Sequence, residues 1–238
     1  MKTFLPLSIV QLHFTMRDKK LNKIEWIVYK KSFKLDKDFI KDKTFIHFLG
    51  VDQCFYIIIN GEKLDLVETL NLPVKFDITN YVKEENELYV IVKDDLNPIY
   101  PTGKQSKRPK GIFYTPFSGI YYPVYIESVN DGYIKNIDIK TNLDSVNLYI
   151  DSDDLHFNVV IKDNGNVIFN QNFNEKNISI KIDNPILWDV DNPHLYDLEI
   201  SNNCDKISSY FGLRSIELID GFIFLNGKKI FLNGVLDQ

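Results

Sequence analysis

DDLNPIYPTGKQSKRPKGIFYTPFSGI, residues 94–120, has neither a helical nor a strand period. A β-type run, ELYVIVK (Glu87–Lys93), feeds into it, and another, YYPVYIE (Tyr121–Glu127), leaves it. Four of the nine prolines and three of the eleven glycines fall inside it, which marks one long loop between strands. Loops of this length inside a compact domain are uncommon and are either functional or disordered. This one is rich in Tyr and Phe, so it is expected to pack against something. Rigid strands carrying a long aromatic loop read as a binding edge.

Short strands flank the loop on both sides. Trp26–Leu35 places Ile27, Tyr29, Phe33 and Leu35 on one face, and Thr44–Leu49 follows, ended by Gly50. CFYIII (Cys54–Ile59) is apolar throughout, as a strand covered on both faces should be. Asn60-Gly61 is a hairpin signal because both residues tolerate positive φ. Lys63–Val67 returns from that turn, Lys75–Thr79 and Leu88–Lys93 complete the set, and Thr79–Glu84 is expected to form one capped helical turn. Such punctuation indicates an antiparallel sandwich. Beyond Asp131-Gly132, seven further strands are expected: Tyr133–Lys140, Ser145–Ile150, His156–Lys162, Val167–Phe173, Ile178–Ile182, Leu195–Ser201 and Lys206–Leu213. They suit an immunoglobulin-like sandwich without the Cys-Trp-Cys framework of antibody domains. Trp188 is expected to plug one end of its core, and the tail folds as a hairpin turning at Asn226-Gly227.

The 238 residues favour two domains over one. Ala is absent, which removes the best helix former, while Ile, Val, Tyr and Phe favour strands. A net charge of −5 argues against a general nucleic-acid binder. The two cysteines, Cys54 and Cys204, fall in different domains, so neither a disulfide nor a metal site is expected. No apolar run approaches the ~18 residues of a membrane span, so no membrane partner is expected. The start, MKTFLPLSIVQLHFTM, has no small-residue cleavage site and is interrupted by Pro6 and Gln11, so a cytoplasmic location is expected over secretion.

FDITNYVKEENELYVIVKDD (76–95), YPTGKQ (100–105) and GIFYTPFSGIYYPVYIESV (111–129) resemble the sugar-binding domain of family 2 glycoside hydrolases, the β-galactosidase and β-glucuronidase group. ILWDVDNPHLYDLEI (186–200) and YFGLRSIELIDGFIFLNGKKIFLNGVLDQ (210–238) resemble the end of that family's immunoglobulin-like domain and the entry to its catalytic barrel. The resemblance implies an all-β chain, a jelly-roll sandwich followed by an immunoglobulin-like β-sandwich, with the catalytic TIM barrel missing. Its expected division is an irregular segment at 1–22, the sugar-binding jelly roll at 23–129, the second sandwich at 130–220, and a hairpin stub of the barrel at 221–238. Phe222, Phe224, Ile230 and Leu232 would then lack their covering surface.

Both catalytic glutamates of the family belong to the barrel, so no catalytic residue and no cofactor are expected here. In related enzymes an acidic residue near Asp94 and Asp95 reaches toward the sugar, and Asp95, nearer the loop, is the better candidate. A carboxylate suits the role because it accepts two hydroxyl hydrogen bonds at once. The competing reading is an Asx turn at a strand end. Tyr100, Gln105, Phe113 and Tyr114 could stack on a sugar and bond its hydroxyls, or simply pin the loop. Lys104, Lys107, Arg108 and Lys110 could meet an anionic sugar or a phosphate, but such a run is more often a solvated loop. Arg214 is expected in an ion pair or on carbonyls, and His47 in the core.

The expected function is the non-catalytic part of a β-galactosidase-like glycosidase, shaping the sugar site and bracing the barrel. A free-standing carbohydrate-binding module and an adhesive sandwich are the alternatives. Expected partners are carbohydrate, bound weakly or not at all without the barrel, and either the barrel itself or a second copy docking on the exposed hairpin.

Overall fold

The computed structural model describes residues 9–13, 26–68, 72–94, 96 and 99–236. Every regular element among them is a strand, and no helix is long and apolar enough to cross a membrane. The chain divides into two compact units, Pro6–Asn130 and Asp131–Gln238.

The first unit contains β1 (Ile9–Leu12), β2 (Trp26–Lys34), β3 (Lys43–Phe48), β4 (Val51–Asp52), β5 (Cys54–Ile59), β6 (Glu62–Lys63), β7 (Val67–Glu68), β8 (Val74–Asp77), β9 (Glu85–Lys93), β10 (Gly119–Ile120) and β11 (Val124–Val129). One sheet has the order β1-β11-β3-β8, the other β2-β9-β5-β6 with β7 also on β5, and β10 pairs with β4. Successive long strands alternate between the two sheets, the winding of a jelly roll. Ile46, Phe48, Phe55, Ile57, Val90 and Ile126 fill the space between them and are all essentially inaccessible. Each such side chain contributes about 1.5–3 kcal/mol on burial. CFYIII is covered as its uninterrupted apolar run implies, with Cys54 a buried free thiol.

The first strand revises the reading of residues 1–22 as irregular, because Ile9–Leu12 pairs antiparallel with Val124–Glu127. The remainder of that segment lies outside the described residues. The segment from Thr79 makes one isolated turn and no longer helix. Tyr81 and Val82 both donate to the Ile78 carbonyl, and Asp77 caps the start of the turn by accepting from the Thr79 amide and hydroxyl.

The second unit contains β12 (Ile134–Thr141), β13 (Ser145–Ser152), β14 (Phe157–Asp163), β15 (Asn166–Phe173), β16 (Asn177–Lys181), β17 (Tyr196–Ser201) and β18 (Lys206–Phe211). Sheets of order β12-β13-β16 and β15-β14-β17-β18 enclose its core, in the seven-strand immunoglobulin-like arrangement. Tyr196, Phe157 and Phe211, and not Trp188, are the buried aromatics of this core. Trp188 instead covers Gly212, where a β-carbon would come within 2.9 Å of it. Arg214, expected in an ion pair or on carbonyls, stacks on that indole, 4.8 Å from the ring centroid. His47 is half-buried, pairs with Glu127 at 3.0 Å and stacks on Tyr125.

Beyond β18, β19 (Ile216–Ile219), β20 (Phe222–Leu225) and β21 (Lys228–Lys229) form a small meander. Both its turns are two-residue loops with positive φ, Asp220-Gly221 and Asn226-Gly227. Phe222 and Leu232 are exposed and Phe224 and Ile230 half-buried, while Ile216 and Leu218, also exposed, lie on the opposite face of the meander from Phe222 and Phe224, and Phe231 is open to solvent.

Candidate functional site

The loop after β9 is fastened to the first unit through one buried carboxylate. Asp52, at the end of β4, is fully inaccessible. Its Oδ2 accepts from Gln105 Nε2 at 3.0 Å. The Gln105 Oε1 in turn accepts from the Phe117 amide at 2.8 Å. One glutamine thus ties the sheet to both limbs of the loop. Around it the loop closes on itself, with Tyr114 N–H donating to the Lys104 carbonyl at 2.8 Å and Ser106 N–H to the Tyr114 carbonyl at 3.0 Å.

Asp94, where β9 ends, accepts from the Leu96 amide at 3.0 Å, which is an Asx turn. Its second oxygen accepts from the Ser118 hydroxyl. Asp95 lies outside the described residues. Tyr100 donates to Glu68 at 2.6 Å and so ties the loop start to β7. Phe113 and Tyr114 point their rings largely to solvent, being 50% and 47% exposed. Lys107, Arg108 and Lys110 are exposed.

An aromatic lip stands over this anchorage. Phe117 meets Tyr121 edge-on, with centroids 5.1 Å apart, and Tyr121 meets Tyr122 at 4.9 Å. The lip sits directly on Gly50, where a β-carbon would fall 2.6 Å from Tyr122. Gly119, at φ +91°, leaves room for the Tyr29 hydroxyl, which accepts from the Ile120 amide at 3.2 Å.

Burial pushes the Asp52 carboxyl above its ordinary range, and the neighbouring Asp94 adds to this, while the Gln105 hydrogen bond opposes it. Its Oδ1 is buried without a hydrogen-bond partner. Burial also raises the Tyr121 phenol, with Asp52 and Tyr122 adding to the effect. The result is a sealed acidic anchor beneath exposed aromatic rings, and the rings are able to take the C–H face of a sugar. Among the described residues no three His, Cys, Asp or Glu side chains group as metal ligands.

The structure brings Asp94 and Gln105 to the loop's base through Ser118 and Asp52 and pairs the Tyr114 backbone with Gln105, whereas Tyr100 engages Glu68. Asp52, Ser118 and Gly50 were not among the sequence candidates. The available signal was an aspartate in the apolar run VDQCFYIII, where a charge is expected to have a reason to be buried.

Residues 8–126 match the family described as "Glycosyl hydrolases family 2, sugar binding domain", and residues 130–214 match "Glycosyl hydrolases family 2". The chain is 32% identical to a β-galactosidase of Thermoanaerobacterium thermosulfurigenes, over 97% of its own length and 36% of that protein's. It is 31% identical to a β-galactosidase of Clostridium acetobutylicum, over 84% and 24% of the respective lengths. The chain therefore spans well under half of these curated relatives. Among solved structures, a β-glucuronidase of an uncultured Clostridium superposes with a TM-score of 0.76 and 26% identity, over 88% of this chain and 38% of that one. A β-D-glucuronidase of Dictyoglomus thermophilum shares the fold with a TM-score of 0.73 at 23% identity, over 90% of this chain and 41% of that one.

Proposed function

The chain belongs to glycoside hydrolase family 2, and from that premise we propose that it is the non-catalytic, sugar-facing part of a β-galactosidase-like glycosidase. In the complete enzyme it shapes one wall of the sugar site and braces the catalytic portion, which hydrolyses the O-glycosidic bond. The observation that carries this reading is the Asp52–Gln105–Phe117 strut with Asp94 beside it, set under an aromatic lip in the unit that matches the sugar-binding domain.

Glycoside hydrolysis requires two carboxyl groups flanking the scissile bond, one of them free to transfer a proton. Asp52 and Asp94 are neighbouring carboxylates, but they do not meet that requirement. Asp52 is sealed from solvent, and both oxygens of Asp94 already accept protein hydrogen bonds. They fix the loop so that the rings of Phe113, Tyr114 and Phe117 present a steady face to a sugar. Asp95, adjoining Asp94, remains our candidate for direct contact with a hydroxyl. The open face of the β19–β21 meander is where the catalytic portion docks, and residues 221–238 belong functionally with it. Two free thiols, one of them exposed, suit the reducing cytoplasm.

The test assays the 238-residue chain with nitrophenyl β-galactoside and β-glucuronide and titrates it with galactose and glucuronate by calorimetry. We expect no release above a matched blank and only weak binding. Hydrolysis would refute the non-catalytic assignment. Tight, saturable binding at the aromatic lip would favour a free-standing carbohydrate-binding module, the reading that the exposed Phe113 and Tyr114 support.

A further inference from the structure

We infer that the second unit carries a separate site for a neutral carbohydrate, in the asparagine-lined cleft at one end of its four-stranded sheet. The cleft has a volume of about 440 Å³, within the ~300–1,000 Å³ of small-molecule sites. Strand register builds it. Asn158 on β14 stands opposite Asn172 on β15 and opposite Ser201 on β17, so three polar side chains form one lateral row. Asn174, Asn203 and His156 wall the row from the flanking turns.

The amides in this row are held in a fixed orientation. Asn158 Nδ2 donates to the Oδ1 atoms of both Asn170 and Asn172, each at 2.9 Å. That commits the donor of one residue and the acceptors of two. The Oδ1 of Asn158, the Nδ2 of Asn172 and the Ser201 hydroxyl have no side-chain partner among the described residues, so an acceptor, a donor and a hydroxyl stand side by side. Sugar hydroxyls, which both donate and accept, match such an alternating set. On the opposite, core-facing side of the same strand Phe173 is half-buried and stacked on Phe169, with centroids 6.2 Å apart and planes at 21°, which anchors the strand end that carries Asn172 and Asn174.

Charge decides the class of ligand. None of the lining residues is Lys, Arg, Asp or Glu. A phosphate or carboxylate site would be built on Arg or Lys, and a hard-cation site on carboxylates. The abundance of asparagine in the chain does not by itself explain the row. The row continues into Lys206 on β18, directly opposite Ser201, but Glu199 holds that ammonium at 3.0 Å and the Lys162 ammonium at 2.6 Å, so the nearest charges are paired with one another. The inference rests on this lining chemistry and not on the proposed function.

The test is residue-resolved titration of the ¹⁵N-labelled 238-residue chain with galactose, lactose and methyl glucuronide. The two neutral sugars should shift the amides of Asn158, Asn172, Asn174 and Asn203 saturably, and the uronide should bind no tighter. Asn172→Ala and Asn174→Ala alter exposed side chains and should leave the thermal transition unchanged while weakening binding about tenfold together. Asp94→Asn, in the other unit, should leave these shifts intact. Absence of saturable shifts at these amides, or shifts undiminished in the double variant, would overturn the site. Shifts confined to residues 99–122 would do the same while leaving the sugar-facing role of the first unit standing.

Discussion

Asp52 shows how one residue can be decisive and still be hard to read from sequence. It stands in a largely apolar stretch, its carboxyl is sealed, and one oxygen has no partner. Burial, with Asp94 adding, raises its protonation range in the folded protein. The sign follows by linkage. A raised folded value means that the protonated form suits the fold, so its stabilising contribution is full below the unfolded value and is lost as pH rises through the folded one. Asp52→Asn keeps the shape and removes the charge. It should therefore be more stable than the natural protein at neutral pH, by about 1 kcal/mol, and the difference should shrink as pH falls toward about 4. Urea midpoints of the two proteins across that range check this. A variant less stable at neutral pH would mean that the charge is satisfied in the fold. From sequence, Gln105 stood out as an amide within an aromatic loop. Its dependence on Asp52, far away in the chain, could not be read, because only tertiary pairing of β4 with β10 brings them together.

Strands and turns were far more legible. Apolar alternation and Asn-Gly pairs located the seven strands of the second unit and the hairpins at Asn60 and Asn226, because period and positive φ are local properties. Asn164-Gly165 makes the same kind of turn between β14 and β15. Local signals do not reveal what a turn residue holds besides its own turn. Asn60 donates to the Tyr81 carbonyl at 2.7 Å and to Asn86 at 2.9 Å, and accepts from the Glu87 amide at 2.9 Å. Among the described residues the Asn164 side chain hydrogen-bonds only to its neighbour Asp163, at 2.9 Å. Both adopt φ near +50°. Asn60→Ala should thus cost about 3 kcal/mol and Asn164→Ala about 1, the common part being backbone conformation and the excess lost hydrogen bonds. Chemical denaturation of each variant measures the gap, and equal losses would show that the Asn60 network contributes nothing. Trp188 was misplaced for the opposite reason. Size suggested a core plug, but the bare surface of Gly212 gave the indole a better seat at the margin.

At the scale of the molecule, the meander after β18 leaves Ile216, Leu218, Phe231 and Leu232 open to solvent, between 64% and 85% exposed. Exposed large apolar side chains in this number favour association. Light scattering should show the 238-residue chain associating as concentration rises, and Leu218→Lys with Phe231→Lys should restore a monomer. A clean monomer at high concentration before substitution would remove the case for docking there. Another consequence concerns how this architecture tolerates change. Because Gln105 is pinned near the middle of the span from Lys93 to Gly119, that span behaves as two short chords instead of one long one. Closure entropy grows only with the logarithm of length, about 0.6 kcal/mol per doubling. Extra residues spliced between Lys107 and Lys110 would lengthen the outer chord alone and leave the ground around Asp94 undisturbed, so new specificities could be grafted there without rebuilding the wall.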